Sequence, residues 1–219
     1  MKEILIASYD MEIGGVERSL INMLSEFDYN SNNVDLMLYS HTGEFLSLLP
    51  KGFNLLPEIK EYKSFRMGVG ETFRNKLYGI GTSRLLAKVL PNIKGKINGI
   101  SEIGYYQMQL MWKYSMKYLP KLEKKYDVAI SYLWPHYFVA EKVNAKKKIA
   151  WIHTDFSTIE TDIEEDLRIW NKFDNIVAVS EECKNSFLNK YPSLKNKVSV
   201  IENITSPEFI KKMSQEDIE

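Results

Sequence analysis

Short apolar runs rich in β-branched residues alternate with stretches whose apolar positions recur at helical spacing. Glu3–Ser8, Val34–Tyr39, Asp127–Ser131, Lys148–Trp151, Asn175–Val179 and Val198–Ile201 read as strands, and Phe53–Leu56 as a weaker one. Between them, Gly15–Leu24, Phe45–Leu49, Pro135–Val143, Asp162–Phe173 and Glu181–Lys190 read as helices. The strands are nearly continuously apolar, which fits a sheet covered on both faces. Strand and helix in alternation predict an α/β chain with a doubly wound, mostly parallel sheet and helices on both sides.

The rhythm breaks at Tyr62–Gly104, where Gly68, Gly70, Gly79, Gly81, Gly95, Gly99 and Gly104 lie among apolar and basic residues. This stretch reads as a helical insertion, with Gly68-x-Gly70 and Gly79-x-Gly81 as loop glycines. Tyr105–Lys125 is expected to be an amphipathic helix interrupted near Pro120. Its Lys113, Lys117 and Lys121 form an i, i+4 stripe that either faces anionic lipid or lies in water.

The chain has 219 residues, enough for one large domain with a sizeable core. Its 29 Lys+Arg balance 29 Asp+Glu, so a generic nucleic-acid binder is disfavoured. The balance hides an asymmetry. Lys60–Lys125 holds fourteen Lys and Arg against four acids, a net of +10, which predicts a basic surface on one part of the fold. One cysteine, Cys183, excludes a disulfide within the chain, and three scattered histidines do not make a zinc site. No apolar run approaches a membrane span or a signal-peptide core, so the expected location is the cytoplasm, or the inner face of the cell membrane as a peripheral protein.

Candidate chemistry collects where strands give way to helices. Gly14-Gly15 follows the first strand, either as a tight turn or as a backbone cradle for a phosphate at a helix N-terminus. It lacks the third glycine of the dinucleotide fingerprint, and the chain has no P-loop. His153 follows a later strand in Trp-Ile-His-Thr-Asp, at the edge where open α/β sheets place ligands. There it either donates to substrate or carries a proton, or is a structural histidine bonded to a carbonyl. Tyr132, Trp134 and His136 follow another strand, as a stacking surface or as an inward-packed helix start. Ser180 reads as an N-cap.

Taken together, Gly14-Gly15-Val16-Glu17-Arg18, Trp151-Ile152-His153, Ile176–Glu181 and Val198–Asn203 resemble the N-terminal, Rossmann-like half of a GT-B glycosyltransferase of family 4. The resemblance runs from Lys2 to about Glu208, with Asn203 at the family's exit into the interdomain linker. It implies a domain over 1–203, a linker from 204 to 219, and a C-terminal donor-binding domain absent from this chain. It implies retaining, metal-independent transfer of a sugar from a nucleotide-sugar, used as co-substrate without a cofactor, to a glycan or lipid-linked acceptor. Gly14 and Gly15 would approach the donor diphosphate, and His153 would contact the donor sugar. Arg18, His41, Tyr132, Trp134 and His136 are the acceptor candidates, and the basic segment would face the membrane. Glu208 and Glu216 have the family's Glu-x7-Glu spacing, but their polar surroundings mark it as coincidental. A sugar-nucleotide epimerase of the same architecture, or a non-catalytic module binding an anionic partner or membrane, are the alternatives.

Overall fold

A computed structural model describes residues 1–98 and 103–205, with the side chains of 92–98 left aside. Glu208 and Glu216, and all but the start of the expected linker, lie outside the described residues.

Seven strands form one parallel sheet: β1 (Lys2–Ser8), β2 (Asn32–Leu38), β3 (Asn54–Leu55), β4 (Lys125–Ser131), β5 (Asn144–Ile152), β6 (Asn175–Ala178) and β7 (Val198–Val200). Their order is β3-β2-β1-β4-β5-β6-β7, the doubly wound Rossmann-like arrangement. The chain winds outward from β1 in one direction, then restarts at β4 and winds in the other. The switch point therefore lies between β1 and β4, and their C-terminal ends open a crevice there.

Alternation along β1 assigns the two faces. Ile4 and Ile6 pack with Leu20, Ile21 and Leu24 of α1 (Gly15–Ser25) and with Phe45 of a 3-10 turn at Glu44–Leu48. Leu5 and Ala7 point the other way, to a core built from α6 (Tyr137–Lys142), α7 (Ile163–Trp170), α8 (Glu181–Lys190) and the β3–β4 insertion. Asp162 and Ser180 cap α7 and α8 by accepting from Glu165 N and Cys183 N, so Ser180 is the N-cap its sequence suggested.

The insertion holds α2 (Lys60–Lys63), α3 (Val69–Arg74), α4 (Tyr78–Asn98) and α5 (Ile103–Ser115). Trp112 of α5 fastens it to the sheet. Its indole stacks on Phe65 at 4.0 Å between ring centres and donates to the Tyr9 hydroxyl at 2.6 Å. A second tie is polar: Gln109 donates to Asp166 Oδ1, and Lys113 pairs with Glu165 at 2.9 Å.

Two expectations change here. Gly79 and Gly81 lie in α4, not in a loop. A Cβ at Gly79 would sit 2.5 Å from the Tyr118 ring, and one at Gly81 3.0 Å from Phe73. These glycines let neighbouring rings approach the helix, and Ser83 and Ala87 continue the small seam against α5. The helix expected over Tyr105–Lys125 stops at Ser115, followed by a 3-10 turn at Met116–Tyr118. The next residues run extended because Tyr62 Oη donates to the Pro120 carbonyl and Leu122 N to that of Lys142. Lys113, Lys117 and Lys121 therefore do not form one helical stripe, and Lys113 is spent on Glu165.

Candidate functional site at the carboxyl edge of the sheet

The loops after β1, β2, β4 and β5 meet above the switch point. After β5 the backbone delivers His153 into a cavity of about 170 Å³. Trp134 and Leu133 after β4, Trp151 of β5, and Tyr105 and Met108 of α5 line it with His153. A cavity of roughly 150 Å³ holds one six-membered ring, so this one accommodates a single pyranose-sized group. Its walls are mostly apolar and aromatic. Trp134 lies 5.6 Å from Tyr105, and Tyr132 backs the cavity with its ring 4.6 Å from His153 and 5.5 Å from Trp151.

The His153 ring donates to the Tyr132 backbone, an interaction that favours the cation, but burial outweighs it and pushes the pKa down to about 4. At neutral pH the imidazole is therefore uncharged. Its Nε2 has no partner and presents a lone pair in a nearly dry wall, and the Trp151 indole N–H is likewise unpartnered. One acceptor, one donor and flanking aromatic faces suit a ring that is apolar on its face and polar at its edge.

Tyr132 ties this wall to the chain's departure from the sheet. Ser19 Oγ of α1 donates to Asn203 Oδ1 at 2.6 Å, so the Tyr132 hydroxyl, 2.7 Å away, donates to Ser19. Asn22 Nδ2 donates to the Ile204 carbonyl beside them. Gly15 and the exposed Arg18 border the small polar cleft between α1 and this segment.

Gly14 is the N-cap of α1 with extended φ, and Gly15 is exposed. The first turn of α1 already carries an anion: Glu17 folds back so that its Oε2 lies 2.2 Å from where a Gly14 Cβ would be. Burial, with Asp10 and Glu12 nearby, raises the Glu17 pKa, although its own backbone N–H favours the carboxylate. Asp10 is buried and bonded to Arg66, whose guanidinium also lies over the Tyr9 ring. Acids thus surround the α1 N-terminus, and the nearest cation is committed to one of them.

The other candidates lie elsewhere. His136 is 1% exposed, bonded through Nδ1 to Ser131 Oγ at 2.8 Å and packed on Trp170; burial, with His153 adding to it, drives its pKa down to about 3. It supports the floor of the crevice from within the core. His41 ends β2, where its backbone N–H donates to Glu58, and it does not line the His153 cavity. The structure thus brings Trp134, Tyr132 and His153 together, puts Gly14, Gly15 and Arg18 beside them on α1, and separates His41 and His136 from them. Among the described residues, no group of three or more His, Cys, Asp or Glu is placed to hold a metal ion.

Gly43 is a site residue with no sequence signal. Its φ of +106° suits glycine, and a Cβ there would lie 2.1 Å from the Met11 carbonyl carbon. Met11 N donates to Thr42 O and Phe45 N to Met11 O, so this contact shapes the loop that leads to Gly14. Gly43→Ala is expected to cost about 2–4 kcal/mol through backbone strain and displacement of that loop. Urea unfolding checks it: a loss below about 1 kcal/mol means that the loop yields freely.

No protein-family model matches the chain, and no curated protein matches it.

Proposed function

We propose that this chain is the acceptor-binding half of a retaining, metal-independent glycosyltransferase, with the donor nucleotide held by a second βα domain. The observation that carries the reading is the ring-sized cavity at the carboxyl end of β5, with the neutral His153 Nε2 in its wall. Trp134 and Tyr105 would hold the face of a sugar, and Nε2 would accept from one of its hydroxyls. Held this way, the acceptor hydroxyl attacks the donor's anomeric carbon on the face that the diphosphate leaves. The new C–O bond forms as the old one breaks, and the hydroxyl proton passes to the departing phosphate oxygen. The chain contributes position and a dry wall to this step. The acids around the α1 N-terminus support a division of labour in which cations from the donor domain neutralise the diphosphate.

Titration of the chain with mono- and oligosaccharides, read by tryptophan fluorescence from Trp134 and Trp151, tests the acceptor site. Saturable quenching that His153→Ala weakens by at least about tenfold is expected, with stability changed by about 1 kcal/mol or less. In the two-domain enzyme the same substitution should lower kcat/KM by about 10²–10³. A lowered melting temperature with unchanged sugar response would make His153 a structural residue and remove this reading.

A further inference from the structure

Helix α4 has two unlike sides. Toward the protein it turns Ile80, Ser83, Ala87 and Pro91, all buried and mostly small. Away from it stand Tyr78, 61% exposed, and Leu85, Leu86 and Val89, each 48–49% exposed. Positions 78, 82, 85, 86 and 89 fall on one helical stripe, directly opposite the buried one. A surface helix ordinarily turns its large apolar residues inward. Here the inward contact is made by small residues against α5, while the leucines and valine face out. Tyr118, itself 43% exposed, lies against Gly79 and extends the stripe at its N-terminal end.

The charge around this stripe has one sign. From Thr72 to Ser101 the chain carries six cations, Arg74, Lys76, Arg84, Lys88, Lys94 and Lys96, and no acid. An apolar patch alone does not name its occupant, but the charge discriminates. A second copy docked through the same face would set these cations against their own equivalents, an arrangement that opposes association. A surface of anionic headgroups over an acyl interior matches both features at once.

We propose that α4 is a membrane-docking helix that lies in the plane of an anionic lipid surface. Leu85, Leu86 and Val89 enter the acyl boundary, Tyr78 and Tyr118 sit at headgroup level, and the flanking cations meet the phosphates. This places the lipid contact on α4 instead of on the Lys113–Lys121 segment. The contact lies in the interface and does not span it: among the described residues no helix is long and apolar enough to cross a membrane. The inference stands on α4 alone and is independent of the sugar-transfer reading.

Co-sedimentation of the chain with vesicles decides the matter. Phosphatidylcholine vesicles are compared with phosphatidylcholine–phosphatidylglycerol vesicles, at low and high salt. Binding is expected to the anionic vesicles and to weaken with salt. The triple substitution Leu85→Ser, Leu86→Ser, Val89→Ser should weaken partitioning by at least about tenfold with an unchanged melting temperature, because all three side chains are on the surface. Lys117→Ser with Lys121→Ser should change it by about threefold or less. Absence of binding to anionic vesicles, or binding that the triple variant retains, overturns the proposal. So does a dimer, detected by light scattering of the chain alone, that the triple substitution dissolves, since a second copy would then be the occupant.

Discussion

Trp112→Ala should leave the chain largely unfolded at room temperature. The indole is fully buried among Tyr9, Tyr39, Tyr62, Phe65 and Tyr137, and removing such a side chain costs about 3–5 kcal/mol through lost burial and the cavity left behind. The Tyr9 hydroxyl, also buried, loses its donor, which adds about 1–3 kcal/mol. Domains of this size are commonly stable by only about 5–15 kcal/mol. Trp112→Phe keeps most of the aromatic packing and should fall between the two. Urea titration followed by far-ultraviolet circular dichroism measures both. A cost below about 1 kcal/mol for the alanine variant would mean that the insertion is held by its polar ties to α7 instead.

Acidification should weaken the fold well before its carboxylates titrate. His136 and His153 are buried as neutral rings, with pKa values pushed down to about 3 and about 4 from 6.5. Below pH 6.5 the unfolded chain binds protons at both positions that the native chain does not, so stability falls as pH falls. Between pH 6.5 and 5 each contributes a loss of about 2 kcal/mol, and between pH 5 and 4 the native carboxylates held down by Lys124 and Lys172 begin to add to it. Thermal unfolding of the parent chain and of His136→Gln across pH 5–7 isolates the first effect. The variant should lose about half of the pH dependence. Parallel curves would show that His136 takes up its proton in the native state.

The seven strands were legible in the sequence because a sheet covered on both faces demands unbroken apolar runs. Where strand residues had charges of their own, legibility failed. The start of β5 reads Asn-Ala-Lys-Lys-Lys, which looks like a turn. It is a strand because Lys146 pairs with Asp127 and Lys147 with Asp174, while the backbone N–H of Lys148 donates to Asp174 as well. Helix α5 was drawn too long because its apolar spacing continues past Ser115, whereas hydrogen bonds from Tyr62 and Leu122 hold the following chain extended. At the site, His153 and Trp134 could be read from their place after strands. Tyr105 and Met108 could not, since an inserted helix brings them to the cavity. Nor could Glu17, whose carboxylate occupies the helix end that its neighbouring glycines appeared to leave free for a ligand.

The pairing of β1 with β4 has a consequence for how the chain is born. β1 is a central strand, yet one of its neighbours comes from the far side of the insertion, and the Glu3 backbone bonds to Asp127, 124 residues later. At about 5–20 residues per second, a ribosome needs roughly 6–25 s to synthesise that interval. Throughout it β1 and β2 are available to pair while one edge of β1 stays open, an apolar edge of the kind that recruits strands from other chains. The segment emerging meanwhile is the +10 insertion, whose like charges keep nascent chains apart. Its basic character thus guards the newborn sheet before it serves the finished protein.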